Sequence, residues 1–169
     1  MRKLLAILAA GAVVLLPQTT SAAEQHGFTC TVDGAAKFKP GLNSEPQELK
    51  FVFKGELSGC QSSNSDASGG KVTAKGVVHE ATCASSQAEG VAKMKWDDGT
   101  KTTLEFTTED VAAAVFLTGT VGKSNSDTAQ TGDDVMALLA FDADVTQCNT
   151  DEGITEAAFH GQVGGGSPS

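Results

Sequence analysis

The chain has 169 residues, 21 of them acidic and 12 basic, for a formal net charge of −9; it holds one tryptophan and no tyrosine. That length suits a single domain with a sizeable core. The acid excess speaks against nucleic acid and anionic membranes as partners, and its plain reading is solubility.

Arg2 and Lys3 precede an apolar run from Leu4 to Leu16, broken by Pro17 and followed by the small residues Thr20-Ser21-Ala22-Ala23. This is the layout of a secretory signal peptide, expected over residues 1–22. Its 13 apolar residues are too few for the ~20 of a membrane-spanning helix. Cleavage after Ala22 or Ala23 is expected. Removing residues 1–22 leaves 147 residues and takes two bases and no acid, so the charge becomes −11. Every base that remains is a lysine. Arginine, the usual bidentate reader of phosphate, is absent.

From Phe28 to Phe38 the apolar residues alternate, and Lys39-Pro40-Gly41 is expected to end this first strand. Leu49 to Cys60 is the clearest strand, with Leu49, Phe51, Phe53 and Leu57 on one parity and Lys50, Lys54, Glu56 and Ser58 on the other. That is the period of a half-buried strand. Gly55 interrupts the apolar face, as a bulge or a close backbone approach would. A hairpin centred on Asn43-Ser44-Glu45-Pro46 sets opposite residues to sum to about 90, which matches Cys30 with Cys60. Cys30 lies on the apolar parity and Cys60 on the polar one, so a bulge at Gly55 or Gly59 is needed.

Lys71 to Cys83 reads as a third strand, carrying His79. A loop over 84–90 and a fourth strand, Val91 to Trp96, follow. Asp97-Asp98-Gly99-Thr100 suits a type I′ hairpin turn. Lys101 to Thr108 alternates again. Val111 to Val121 reads as a strand with a helical turn before it. Val135 to Thr146 is the seventh strand, with Val145 on its apolar face, and Ile154 to Val163 is the eighth. Residues 164–169, Gly-Gly-Gly-Ser-Pro-Ser, read as a disordered tail.

The expected organisation is a signal peptide over 1–22, one all-β domain over 23–163 and that tail. About eight antiparallel strands joined by polar turns predict an up-and-down barrel, with a two-sheet β-sandwich as the alternative. Four cysteines in an exported domain predict two disulfides. Besides Cys30–Cys60, the third and seventh strands of a meander run the same way, which brings Cys83 and Cys148 to one end.

Few residues invite chemistry. His26 falls in the N-terminal tail and is expected to be mobile. His79 and His160 lie in strands near Glu80 and Glu156, as ordinary strand histidines do. The spacing of a zinc site or a nucleophile elbow does not occur. The acidic pairs Asp97-Asp98, Asp133-Asp134, Asp142/Asp144 and Asp151-Glu152 read mostly as turns. Asn149-x-Asp151-x-Gly153 lacks the ligand count of a calcium loop. Trp96 reads as a core or rim residue, or as a platform for a sugar.

The export signal, Phe28-x-Cys30, Pro40-Gly41-Leu42, Gly55-x-Leu57-x-Gly59-Cys60, Cys83, Trp96-x-Asp98-Gly99, Cys148 and Phe159-x-Gly161 together give the chain its pattern. In these it resembles small secreted four-cysteine proteins of unknown function common in actinobacteria. The resemblance implies no activity. The expected function is non-catalytic: a secreted, monomeric β domain that binds a small ligand, glycan or protein outside the cell, with no cofactor, metal or nucleic acid. The competing expectation is a secreted enzyme with a His/carboxylate site in the barrel mouth, drawing on His79, His160 or paired acids.

Overall fold

The computed structural model describes residues 26–111 and 114–167; the export signal expected over 1–22 lies outside them. Eight strands follow in order: β1 (Gly27–Leu42), β2 (Gln47–Ser62), β3 (Gly70–Ala81), β4 (Gln87–Trp96), β5 (Lys101–Val111), β6 (Ala114–Ser124), β7 (Asp134–Asp142) and β8 (Ile154–Gly166). Each pairs antiparallel with the next, and β8 pairs with β1, so the sheet closes into an up-and-down barrel. The sandwich alternative is thereby set aside. Closure removes the unpaired edges that an open sheet would expose.

The alternating pattern acts here as foreseen. On β2 the buried residues are Leu49, Phe53 and Leu57, and Lys50, Val52, Lys54 and Glu56 face out. The same alternation on the other strands fills the interior from all sides. Glycines make room for it. Gly34 and Gly55 are register partners, and a Cβ on either would meet the Phe53 ring at 2.6–2.7 Å. The bare backbone lets that ring lie across two strands, a close approach that accounts for the interrupted pattern at Gly55.

Both disulfides, Cys30–Cys60 and Cys83–Cys148, are present. The β1–β2 register passes from Thr31↔Ser58 to Thr29↔Gln61, so Cys30 alone faces Gly59 and Cys60. Gly59 has φ +57°, the left-handed backbone of a bulge, and this extra residue turns Cys60 towards Cys30.

Several local readings need correction. β1 does not end at Lys39-Pro40-Gly41; it continues to Leu42, and its pairing with β8 jumps from Lys37↔Glu156 to Leu42↔Ile154. Proline has no N–H for the ladder, so the segment bulges rather than stops. β4 begins at Gln87, within the expected loop. The β4–β5 turn is not type I′. Gly99 alone has positive φ there; the Trp96 N–H donates to the Thr100 carbonyl across a three-residue connection, and the Trp96 carbonyl accepts the Gly99 N–H. β7 ends at Asp142, and Val145–Asn149 form a short 3₁₀ turn, η1. Asp144 caps it by accepting the Thr146 N–H, so this local bond diverts the chain from the strand. Val145, expected inward, is exposed. The helical turn expected before β6 falls partly on residues 112 and 113, outside the described residues.

The glycine tail is the last correction. β8 runs to Gly166, with Gly164–Gly166 paired to Phe28, Thr29 and Gly27 on one side and to β7 on the other. Neighbouring strands on both sides supply the order that a glycine run lacks by itself.

Candidate functional site: the barrel interior

The two ends of the barrel differ. One holds the start of β1, the end of β8, the β2–β3 loop, the β4–β5 turn and the β6–β7 loop, and it is plugged. Trp96 is 1% exposed, donates its indole N–H to Thr102 Oγ1 at 3.0 Å and meets Phe28 edge-on at 5.7 Å. Ala129 of the β6–β7 loop is fully buried beneath it, and its carbonyl faces the Thr102 hydroxyl. Thr128 of the same loop donates to Ser65 of the β2–β3 loop at 2.8 Å. Trp96 is thus a core residue and not a ligand platform.

His26 belongs to this plug, contrary to the mobile tail expected for it. Its Nε2 lies 2.6 Å from Asp133 Oδ1, and Asp133 is almost fully buried. A carboxylate only accepts, so Nε2 carries a proton, and Nδ1 is in hydrogen-bond contact with the Ser167 hydroxyl at 2.7 Å. Asp133 Oδ2 also accepts the Gln130 N–H. Serine, histidine and aspartate in one chain suggest nucleophilic chemistry, but the order on the ring is reversed. In hydrolytic triads Nε2 serves the serine and Nδ1 the aspartate. Here the three residues fasten the start of β1 to the end of β8 and to the β6–β7 loop, alongside the Ser167 N–H bonded to the His26 carbonyl. Sequence reading missed this cluster because its members stand 107 and 141 residues apart. Asp133 was visible only as half of an acidic pair.

The other end is apolar and incompletely filled. From the middle of the barrel towards the Cys83–Cys148 disulfide runs a cavity of about 130 Å³. Its walls come from all eight strands, and among the described residues Ser86 and Thr108 are the only polar ones lining it. Thr108 Oγ1 already accepts the Ala88 N–H. Phe38, Phe51, Leu117, Leu139, Phe141 and Phe159 have the inward parity yet are only half-buried. Phe159 stacks edge-on with both Phe53 and Phe141, at 6.1 and 5.3 Å. Beside the cavity Leu42, Leu49, Val78, Ala81 and Ile154 form a second buried cluster, packed against both cysteines of the Cys83–Cys148 bond.

The sequence-named histidines do not reach this space. His79 stands on the outer wall, half-exposed, with Glu48 at 3.6 Å and Glu89 at 3.5 Å on the flanking strands, rather than with Glu80. His160 is also on the outer wall, opposite Asp33 and Ala140, and no contact joins it to Glu156. Both hold the outward parity of their strands. The mouth site expected under the enzyme reading is therefore not built from them. Among the described residues no group of three or more His, Cys, Asp or Glu side chains could hold a metal.

Two carboxyls are electrostatically shifted, one at each end. Asp97, near the plug, is held below the usual carboxylate range chiefly by the Ser68 hydroxyl. Asp144, at η1, is held below it chiefly by the Thr146 hydroxyl and then by the Thr146 N–H. Both are exposed turn residues. The chain matches no family model, no curated protein and no solved structure.

Proposed function

We propose that the protein is a secreted, monomeric binding domain that takes a small apolar molecule into the barrel interior. The cavity carries this reading: about 130 Å³ of space, walled by aliphatic and phenyl side chains, in a domain plugged at the opposite end. An apolar cavity of ~150 Å³ stays dry and accepts benzene, so the expected ligand has the size of a single ring or a short aliphatic chain. Its binding rests on burial at about 25 cal/mol per Å² and on shape, with no charged group to orient it. Two disulfides support an oxidising, extracellular setting.

Benzene and toluene titrated against the purified domain, followed by calorimetry and thermal melting, test the reading. Saturable binding with a rise in melting temperature is expected. Ala88→Phe places a ring into the half-buried cavity end, and it should abolish that binding while leaving the disulfides and the fold intact. Absence of saturable binding, or binding unaffected by the filled cavity, would overturn the proposal.

A further inference from the structure

The outer wall sorts its charges. Lys54 on β2, Lys71 and Lys75 on β3, Lys93 and Lys95 on β4 and Lys101 on β5 share the half of the wall nearest the plug. Lys71 is the register partner of Lys95, and Lys95 of Lys101, so three ammonium groups stand abreast on three adjacent strands. Strands lie ~4.8 Å apart and alternate residues ~6.8 Å along a strand, so the six charges form one contiguous grid. Like charges directly opposite destabilise a sheet. Only Glu56 and Glu105 interrupt the grid, with Asp97 and Asp98 on the turn below it and Lys123 at its β6 margin. Among the described residues none of the six lysines has a carboxylate within 4.0 Å; the single lysine ion pair is Lys37–Glu156, on β1 and β8. Acids are in excess on this chain, so the unneutralised grid does not follow from composition.

From this wall we infer a second binding surface, for an acidic polysaccharide. Lysine gives point charges without the guanidinium fork that pairs bidentately with carboxylate or phosphate, so the grid reads the spacing of negative charges along a polymer and not the geometry of one acid group. Thr73 and Thr103 stand between the lysines and offer hydroxyls to sugar hydroxyls. No aromatic side chain faces out among them, so the stacking platform of single-stranded nucleic acid is missing. Of the large exposed apolar residues that could anchor the protein in a lipid surface, Phe116, Met136 and Leu138 belong to β6 and β7 and Val145 to η1; Val52, opposite Lys75, is the one that borders the grid. A net charge of −9, or −11 without residues 1–22, repels a polyanion at long range, but screening beyond ~8–10 Å leaves a local grid effective.

The test uses the disulfide-bonded protein with polygalacturonate (carboxylate) and heparin (sulfate), dextran as a neutral polymer, and single-stranded DNA. Binding to one or both acidic polymers at 50 mM salt is expected, weakening steeply as salt rises, and which polymer binds distinguishes carboxylate from sulfate recognition. The triple variant Lys71→Gln, Lys95→Gln, Lys101→Gln should lose about tenfold or more in affinity. The corresponding triple arginine variant should keep it, and Lys37→Gln should change it less than about twofold. Binding of neither acidic polymer, equal binding of dextran, tighter binding of DNA, or full affinity in the folded glutamine variant would overturn the inference. The benzene titration reads the cavity independently.

Discussion

The plugged end and the cavity end of this barrel are built from the same strands, yet they solve different problems. At the plug, polar groups are buried in pairs: the Trp96 indole on Thr102, His26 on Asp133, Thr128 on Ser65. At the cavity end burial is apolar and space remains, with Phe141, Phe159 and Phe38 only half-covered. Buried polar groups must be satisfied in fixed geometry, which makes the plug specific and rigid. An apolar wall has no such requirement, so it can leave room for a guest. The contrast separates the part that holds the structure from the part that is free to bind.

Removing the disulfides probes the comparison most strongly. Cys83–Cys148 spans 65 residues and Cys30–Cys60 spans 30. Chain entropy assigns them about 4.3 and 3.7 kcal/mol respectively as upper figures. Cys83→Ser/Cys148→Ser should therefore lower the melting temperature more than Cys30→Ser/Cys60→Ser. It should also weaken benzene binding, because this bond stands beside the cavity, whereas the other joins neighbouring strands near the plug. Equal benzene affinity in both folded double mutants would show that the cavity does not depend on its nearer disulfide.

A smaller effect is expected from His26→Ala. It leaves one oxygen of the nearly buried Asp133 without its partner, at a cost of about 1–3 kcal/mol. Hydrogen exchange should accelerate at Gly27, Gly166 and the β6–β7 loop and stay unchanged at β7–β8 near Phe141. Uniform acceleration along the barrel would mean that the two ends do not act separately.

The smallest expected change concerns Asp144, at the cavity end. Thr146→Val removes the hydroxyl that chiefly lowers this carboxyl, so its titration, followed by NMR, should move up towards 3.8. The sign is that of a depressed acid: its contribution to η1 is complete above the ordinary carboxylate range and is lost as pH falls through the lower, folded value. An unchanged titration would assign the shift to the backbone N–H instead.

Much of the architecture was legible in advance, and for one reason. Alternation with period two is a local signal, so the faces of β2, β5 and β7 could be read from Leu49 to Leu57, Leu104 and Phe106, and Val135 to Phe141. The Cys30–Cys60 pairing followed from hairpin register, and the needed bulge was found at Gly59. Local competition caused the misreadings: the Asp144 cap diverted the end of the seventh strand, and Pro40 bulged a strand it was expected to stop. The candidate site was not legible. Its cavity is a volume left between side chains of eight strands, and no window of sequence records a volume.

The amino-acid sequence by itself determined the all-β class, the succession of strands along the chain and the Cys30–Cys60 pairing, because these depend on neighbours along the chain or on a single hairpin. Tertiary structure decided the closed barrel over the sandwich, since closure pairs β1 with β8 across the whole chain, and it decided three things more. It ordered the glycines at 164–166 between β1 and β7, since glycine gains order only from strands on both sides. It brought His26 to Asp133 across 107 residues of separation, where no periodicity links the two. It also gathered six lysines of an acidic chain on one wall, because closing the barrel sets the same parity of adjacent strands side by side, and net charge carries no record of position.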